Sequence, residues 1–330
     1  MGTTFNRSVK VLQRVAKLAR SNMLYLVALA IAIGAAVGQR THLSESALRI
    51  AVTCLAIAAV TPSMTLVSAR GILEASRRGR EVALGLALTF VAAPAISIAL
   101  STAIRDKLLA LGFVLSSVVP ASSASLAYVM IAGGDLELAT ALAMLSIAIA
   151  AIAVPSYIEL YSSIVSLSVP LAAIARSLAL TMLLPLALGQ GARALLLRRR
   201  ALERARPALQ LIAVSSILAL VATLVASRAR ALAADPAQAA EIAGLLGASI
   251  AAALALAEAL SRAARLCPRR RVAISILSAT KNQSVAAAIA VTAAGGAASL
   301  APALAPVIQP IIAMSYVKLV QQRLRARESR

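Results

Sequence analysis

The stretch LSATKNQSVAAAIA, residues 277–290, places Ser278, Thr280, Lys281, Asn282, Gln283 and Ser284 inside an otherwise apolar run. A second polar cluster, Pro120, Ser122, Ser123 and Ser125 in VPASSASLAYVM, stands about 160 residues earlier, close to half the length of the chain. Hydroxyls and carboxamides are neutral ligands for an ion or a polar solute, and the lysine is a cation. Neither cluster contains a nucleophile with a recognisable base beside it, and the only histidine, His42, lies in a distant segment. The chemistry to expect of these residues is recognition, not bond breaking.

What must position them is a membrane-spanning bundle. Of 330 residues, 61% are hydrophobic and the mean hydropathy is +0.89, which leaves too little polar surface for a water-soluble domain. Apolar runs of about 20 residues recur along the chain, each enough to cross a hydrocarbon core of about 30 Å. They show no dyad alternation and are dominated by Ala and Leu, so an all-α polytopic membrane protein is expected rather than a β-barrel. Ten spans are predicted, roughly at 23–38, 50–67, 82–101, 108–132, 136–158, 173–191, 207–227, 242–260, 272–294 and 303–320.

A formal charge of +21 could indicate a nucleic-acid partner, but its distribution indicates membrane topology instead. With the segments between spans numbered alternately, 25 of the 33 Lys and Arg fall in the set that includes both termini. That set includes Lys318; seven, Arg176 among them, fall in the other set, and the last is Lys281. This positive-inside pattern predicts a multi-pass protein of the plasma membrane with both termini cytoplasmic. No nucleic acid is expected as a partner; the lipid bilayer is. The basic segment 1–22 reads as a cytoplasmic end suited to anionic lipid heads rather than a cleaved signal peptide. Cys54, within a span, and Cys267, in a cytoplasmic loop, are not expected to pair.

Ten spans divide into five and five, residues 23–165 and 166–320, followed by a cytoplasmic tail, 321–330. An odd number per half inverts the second half relative to the first. The two polar clusters then fall in corresponding spans, the fourth and the ninth, and each of these ends at a Gly-Gly pair. Pro120 withdraws a backbone donor and predicts a helix break. At about 1.5 Å per residue, Lys281 lies roughly 13 Å in from Val272, near mid-depth. Two interrupted helices meeting there would present N–H groups of partial positive charge to a solute. Such backbone survives in a membrane only where it is buried in protein or lines a cavity. The substrate site is predicted at this crossing.

A charge at mid-depth costs between about 2.5 and more than 10 kcal/mol, and Lys281 is too deep to reach the headgroups. Three roles would repay that: holding an anionic substrate, occupying a space otherwise filled by a cation, or carrying a coupling proton.

The segments MTLVSARGILEASRRGREVALGLALTFVAAPAISIAL (64–100), PASSASLAYVMIAGGDLELATALAMLSI (120–147) and LLPLALGQGARALL (183–196) resemble the bile acid:sodium symporter superfamily, as do the ninth span and its VAAAIA tail (285–290). The resemblance implies ten transmembrane helices in two inverted five-helix repeats, with the fourth and ninth broken and crossing. It implies a panel domain, here the first and sixth spans, and a core domain formed by the rest, with alternating access between them. The implied activity is secondary active transport, here of a small organic anion. Sodium-coupled members carry an acidic residue and a Gln-Asn pair in the ninth helix, and Ser and Asn after the broken fourth. In this chain Asn282 matches the Asn, Lys281 falls on the Gln, and an apolar residue near Ile276 or Leu277 replaces the acid. Ser125 matches the Ser, Leu126 replaces its Asn neighbour, and further ligand positions fall on Ala139 and Ala143. Much of the oxygen cage a hard cation needs is gone. The expectation is no cofactor or metal, transport that does not need sodium, and the Lys281 ammonium in place of a bound ion.

Four alternatives compete. A conventional sodium-coupled symporter would keep more of that cage. An arsenite exporter of the same fold is expected to use a cysteine in the broken fourth helix, and VPASSAS has none. A membrane-embedded enzyme would need Ser122 or Ser123 to pair with Lys281 as its base. A channel would need a continuous polar stripe, whereas the polar residues gather at mid-depth.

Overall fold

The computed structural model describes residues 13–16, 18, 22–41, 44–66, 78–122, 124–167 and 171–328. Ser123, His42 and most of the basic segment 68–81 lie outside them. Among the described residues every named element is a helix, and the one strand-like feature is a single antiparallel bridge between Ala121 and Lys281.

In chain order the helices are α1 (Met23–Arg40), α2 (Glu45–Leu66), α3 (Gly79–Ser101), α4 (Lys107–Val118), α5 (Ala124–Ile131) and α6 (Leu136–Ile164). There follow α7 (Leu171–Leu178, Ala179–Leu183 and Leu184–Arg198), α8 (Leu202–Ala234), α9 (Pro236–Ala263), α10 (Pro268–Ala279), α11 (Gln283–Ala294) and α12 (Leu300–Glu328). Among the described residues, seven stretches are long and apolar enough to cross a membrane: α2, α3, α6, α8, α9, most of α7, and Gly296–Gln322. Tyr25–Arg40, α4 and α11 are shorter apolar helices.

Several helices outrun the predicted spans. α8 covers 33 residues where 207–227 was expected, and α12 extends well past 320. The apolar run marks only the hydrocarbon stretch; Arg, Glu and Gln are good helix formers and carry the hydrogen-bond ladder beyond it.

The helices pack in two groups. α8 lies along α1 and α2, and α7 packs on α2. In the other group α9 packs on α10 and α12, α3 on α4, and α6 on α4 and α10. The expectation that the first and sixth spans alone form one unit is therefore corrected: α2 and α8 belong with α1 and α7. A one-dimensional pattern of apolar residues does not say which helix faces which.

Small residues permit the closest of these contacts. Gly34 and Gly38, one turn apart on α1, leave no room for a β-carbon, which would strike the backbone of Ala222 and Ala226 on α8. Charged residues gather where α3, α6 and α10 begin and α9 ends. Arg78 pairs with Asp135 at 2.6 Å and Glu137 at 3.1 Å, Arg270 with Glu81 at 2.6 Å, and Arg262 with Glu258 at 2.8 Å. Arg270–Glu81, with Arg271–Glu258 at 3.6 Å, ties the head of α10 to α3 and α9, and Arg78 joins the start of α3 to that of α6.

Candidate functional site

Both polar clusters sit where helices stop. α4 ends before Val119, whose φ of −69° and ψ of 160° are extended, because Pro120 follows and disfavours the helical conformation in the residue before it. α10 ends before Thr280 (φ −101°, ψ 116°), and α11 starts after Asn282 (φ −81°, ψ 90°). No proline breaks the second ladder. Its backbone is instead taken up by partners from outside.

The two breaks satisfy each other. Ser122 N–H donates to Thr280 O at 3.1 Å, and Asn282 N–H donates to Pro120 O at 2.8 Å. The residues between, Ala121 and Lys281, each find a side chain from a further helix. Ala121 N–H donates to Ser146 Oγ of α6 at 3.2 Å, and Lys281 N–H donates to Gln309 Oε1 of α12 at 2.8 Å. A buried N–H left open would cost about 1–3 kcal/mol, so these four bonds make the unwound backbone tolerable. Residues Leu109–Val118, Val272–Ala279 and Gln283–Val291 are buried throughout, which keeps the crossing away from lipid.

The predicted site residues divide by what their side chains do. Ser125 is fully buried, and its hydroxyl is hydrogen bonded to that of Thr280, which also donates to Ile276 O at 2.6 Å. Ser278 donates to Ser275 O in its own helix, at 3.1 Å. Ser122 Oγ accepts from Ala124 N–H at 3.2 Å and starts α5. Ser284 is buried in the first turn of α11. Ser123 lies outside the described residues.

Lys281 is 3% exposed. Its ammonium donates to Thr89 O of α3 at 2.7 Å and lies 5.7 Å from the centre of the Phe90 ring. Lys281 makes no ion pair among the described residues. A hydrogen bond from a charged donor contributes about 1.5–3 kcal/mol, and a desolvated cation over a ring contributes about 2. Together, at about 3.5–5 kcal/mol, these exceed the lower end of the cost of an ammonium at mid-depth, about 2.5 kcal/mol, and stay below its upper end.

Two small cavities flank the crossing, each of about 20 Å³, room for a water molecule but not for an organic solute. The first, between α3, α4, α9 and α11, is lined by Lys281, Gln283, Ser97, Ser116, Ser117 and Ser249. Gln283 donates to Ser116 O at 3.1 Å, while its Oε1 is buried without a hydrogen-bond partner among the described residues; a water in the cavity would satisfy it. The second opens toward α2 and is lined by Asn282, Ala121, Leu126, Ala143, Ser63 and Met64. Adjacent residues of one strand-like turn thus face opposite ways. Lys281 points into its own helix group, and Asn282 points toward the other.

Sequence reasoning missed Gln309, Ser146, Thr89 and Phe90. Gln309 and Ser146 are lone polar residues in apolar helices, a weak signal. Thr89 acts through its carbonyl, which no side-chain type reveals.

Residues 52–235, from within α2 to the end of α8, match the family described as Sodium Bile acid symporter family. The match covers the first break and stops before the second, where Lys281 lies. No individual curated protein matches the sequence. With more than half its length matched, apolar helices long enough to cross a membrane, and an interrupted α4–α5 inside the matched region, this chain belongs to the sodium bile acid symporter family and is a multi-pass membrane transporter.

Proposed function

We propose that the protein moves a small organic anion by alternating access, and that the Lys281 ammonium takes the place of a bound cation so that transport does not need sodium. The observation that carries this is the position of the ammonium: it is buried at the crossing, on a backbone carbonyl and a ring face, within one helix group. A metal ion in such a place would be held by carbonyl and hydroxyl oxygens. Here Ser125 and Thr280 bond each other, and Ala139 and Ala143 offer no side-chain oxygen. The positive charge that would stabilise the two break regions is supplied by the chain.

In this reading the substrate contacts Asn282 and Ser122 and the N-terminal turns of α5 and α11, which carry partial positive charge. Lys281 does not touch it. The second cavity, between Asn282 and α2, is the closed form of the substrate space and widens when the group of α1, α2, α7 and α8 moves against the other. The reciprocal bonds at the crossing, with partners about 160 positions apart, favour an inverted-repeat origin and ten crossings. The charge asymmetry favours cytoplasmic termini in the plasma membrane.

The test uses purified protein and proteoliposomes. A panel of mono- and dicarboxylates is screened by thermal shift, because a solute that binds only the folded state raises the melting temperature. Uptake of the strongest stabiliser is then measured with membrane potential clamped, in sodium and in choline. Equal uptake is expected. Uptake that collapses without sodium would refute the reading.

A further inference from the structure

Thr89 is an unusual partner for a lysine, because a carbonyl in the middle of a helix is normally occupied. In α3 it is not. The segment Leu88–Ala92 is a π-helical turn, in which Ala93 N–H reaches back five residues to Leu88 O instead of four to Thr89 O. The next residue whose N–H could serve Thr89 O in that wider turn is Pro94, which has none. Thr89 O is left open, and the Lys281 ammonium occupies it at 2.7 Å. The same proline deprives Phe90 O of its ordinary donor four residues on, and Tyr157 Oη of α6 donates to Phe90 O instead.

We infer that the Pro94 bulge is the positioning element for the Lys281 ammonium: it frees one carbonyl to accept the charge and turns the Phe90 ring face toward it. Pro94 acts through other residues and touches no solute. This deepens the reading of Lys281 as a resident cation and rests on the ammonium being seated at the crossing, but it makes no use of sodium.

α7 supplies an internal control. Ala179–Leu183 is also π-helical, Leu184 N–H reaches Ala179 O, and Pro185 follows at the same spacing as Pro94. Lys281 makes no hydrogen bond there. A proline that merely shapes its helix would behave alike at both positions.

The experiment is a thermal double-mutant cycle on the full-length protein in detergent. Pro94→Ala restores an N–H that competes for the freed carbonyls. With Lys281 present it should lower the melting temperature by at least about 3 °C, a shift well outside measurement error for a chain of this size. In a Lys281→Met background the same change should be neutral or stabilising, because the ladder gains a bond and no charge is displaced. Pro185→Ala should have the same effect in both backgrounds. Loss of folding on Pro94→Ala in the Lys281 protein, but not in the Lys281→Met background, also supports the inference. If Pro94→Ala folds in neither background, Phe90→Leu decides: it should destabilise the Lys281 protein more than the Lys281→Met protein. Equal effects of Pro94→Ala in both backgrounds would overturn the inference. That result would leave the sodium test of the transport reading untouched, and sodium-dependent uptake would leave this cycle untouched.

Discussion

A buried lysine with two neutral partners makes a specific demand on the residue that replaces it. Lys281→Gln, which installs the residue type that sodium-coupled relatives are expected to carry there, removes the charge and frees Thr89 O and the face of the Phe90 ring. Sodium should then raise the melting temperature of the variant by a few degrees at concentrations that leave the parent protein unchanged. A variant as indifferent to sodium as its parent would show that the space beside Thr89 is not an ion site. Gln309 and Ser146 invite a second prediction, since each satisfies one N–H of the bridge residues. Gln309→Met and Ser146→Ala should each destabilise the protein by about 1–3 kcal/mol, measured by thermal or denaturant melts, because each strands a buried donor. At this scale the sequence was legible where polar residues clustered. Lys281, Asn282 and Pro120 stand out against their surroundings; Gln309 and Ser146 look like any isolated polar residue in an apolar helix. The division of labour between Lys281 and Asn282 was illegible, because two adjacent residues take opposite directions only once the strand-like geometry of the break is known.

Helices in a bilayer gain nothing from burying apolar surface against one another, so their association depends on close fit. α1 illustrates this. Its Gly34 and Gly38 abut the backbone of Ala222 and Ala226, whereas Gly244 on α9 has open space around its α-carbon. Gly34→Leu or Gly38→Leu should therefore force α1 off α8 and destabilise the protein by about 1–3 kcal/mol or more. Gly244→Ala should leave it unchanged or stabilise it by up to about 1 kcal/mol through helix propensity alone. Thermal melts of the three variants check both signs, and a neutral Gly38→Leu would mean that α1 is not held by that contact. The existence of these elements was readable because Ala and Leu runs have no other use at such length. Their ends were not, since charged residues continue a helix as readily as they leave it. The π-turns of α3 and α7 were hidden for a related reason: Pro94 and Pro185 announce a disturbance, but a proline in an apolar run is equally compatible with a kink or a new helix start.

At the scale of the molecule, the two helix groups meet where α11 runs along α2 and the start of α7. If transport moves one group against the other, a covalent tie across that seam must stop it, and a tie within one group must not. Ser63 of α2 and Ala143 of α6 line the same small cavity from opposite sides of the seam. Ser97 of α3 and Ser249 of α9 share one group, with their hydroxyls 2.8 Å apart. Cys54 and Cys267 are both exposed and would react first, so the pairs belong in a background where both are serine. Oxidation of the Ser63→Cys, Ala143→Cys protein should abolish uptake of the stabilising carboxylate, and reduction should restore it. Oxidation of the Ser97→Cys, Ser249→Cys protein should cross-link equally well and leave uptake unchanged. Both pairs report on rigid-body motion without assuming what the coupling ion is. If the tie within the group stops transport as completely as the tie across the seam, the moving unit is smaller than a helix group, and the widening of the second cavity must come from the break regions alone.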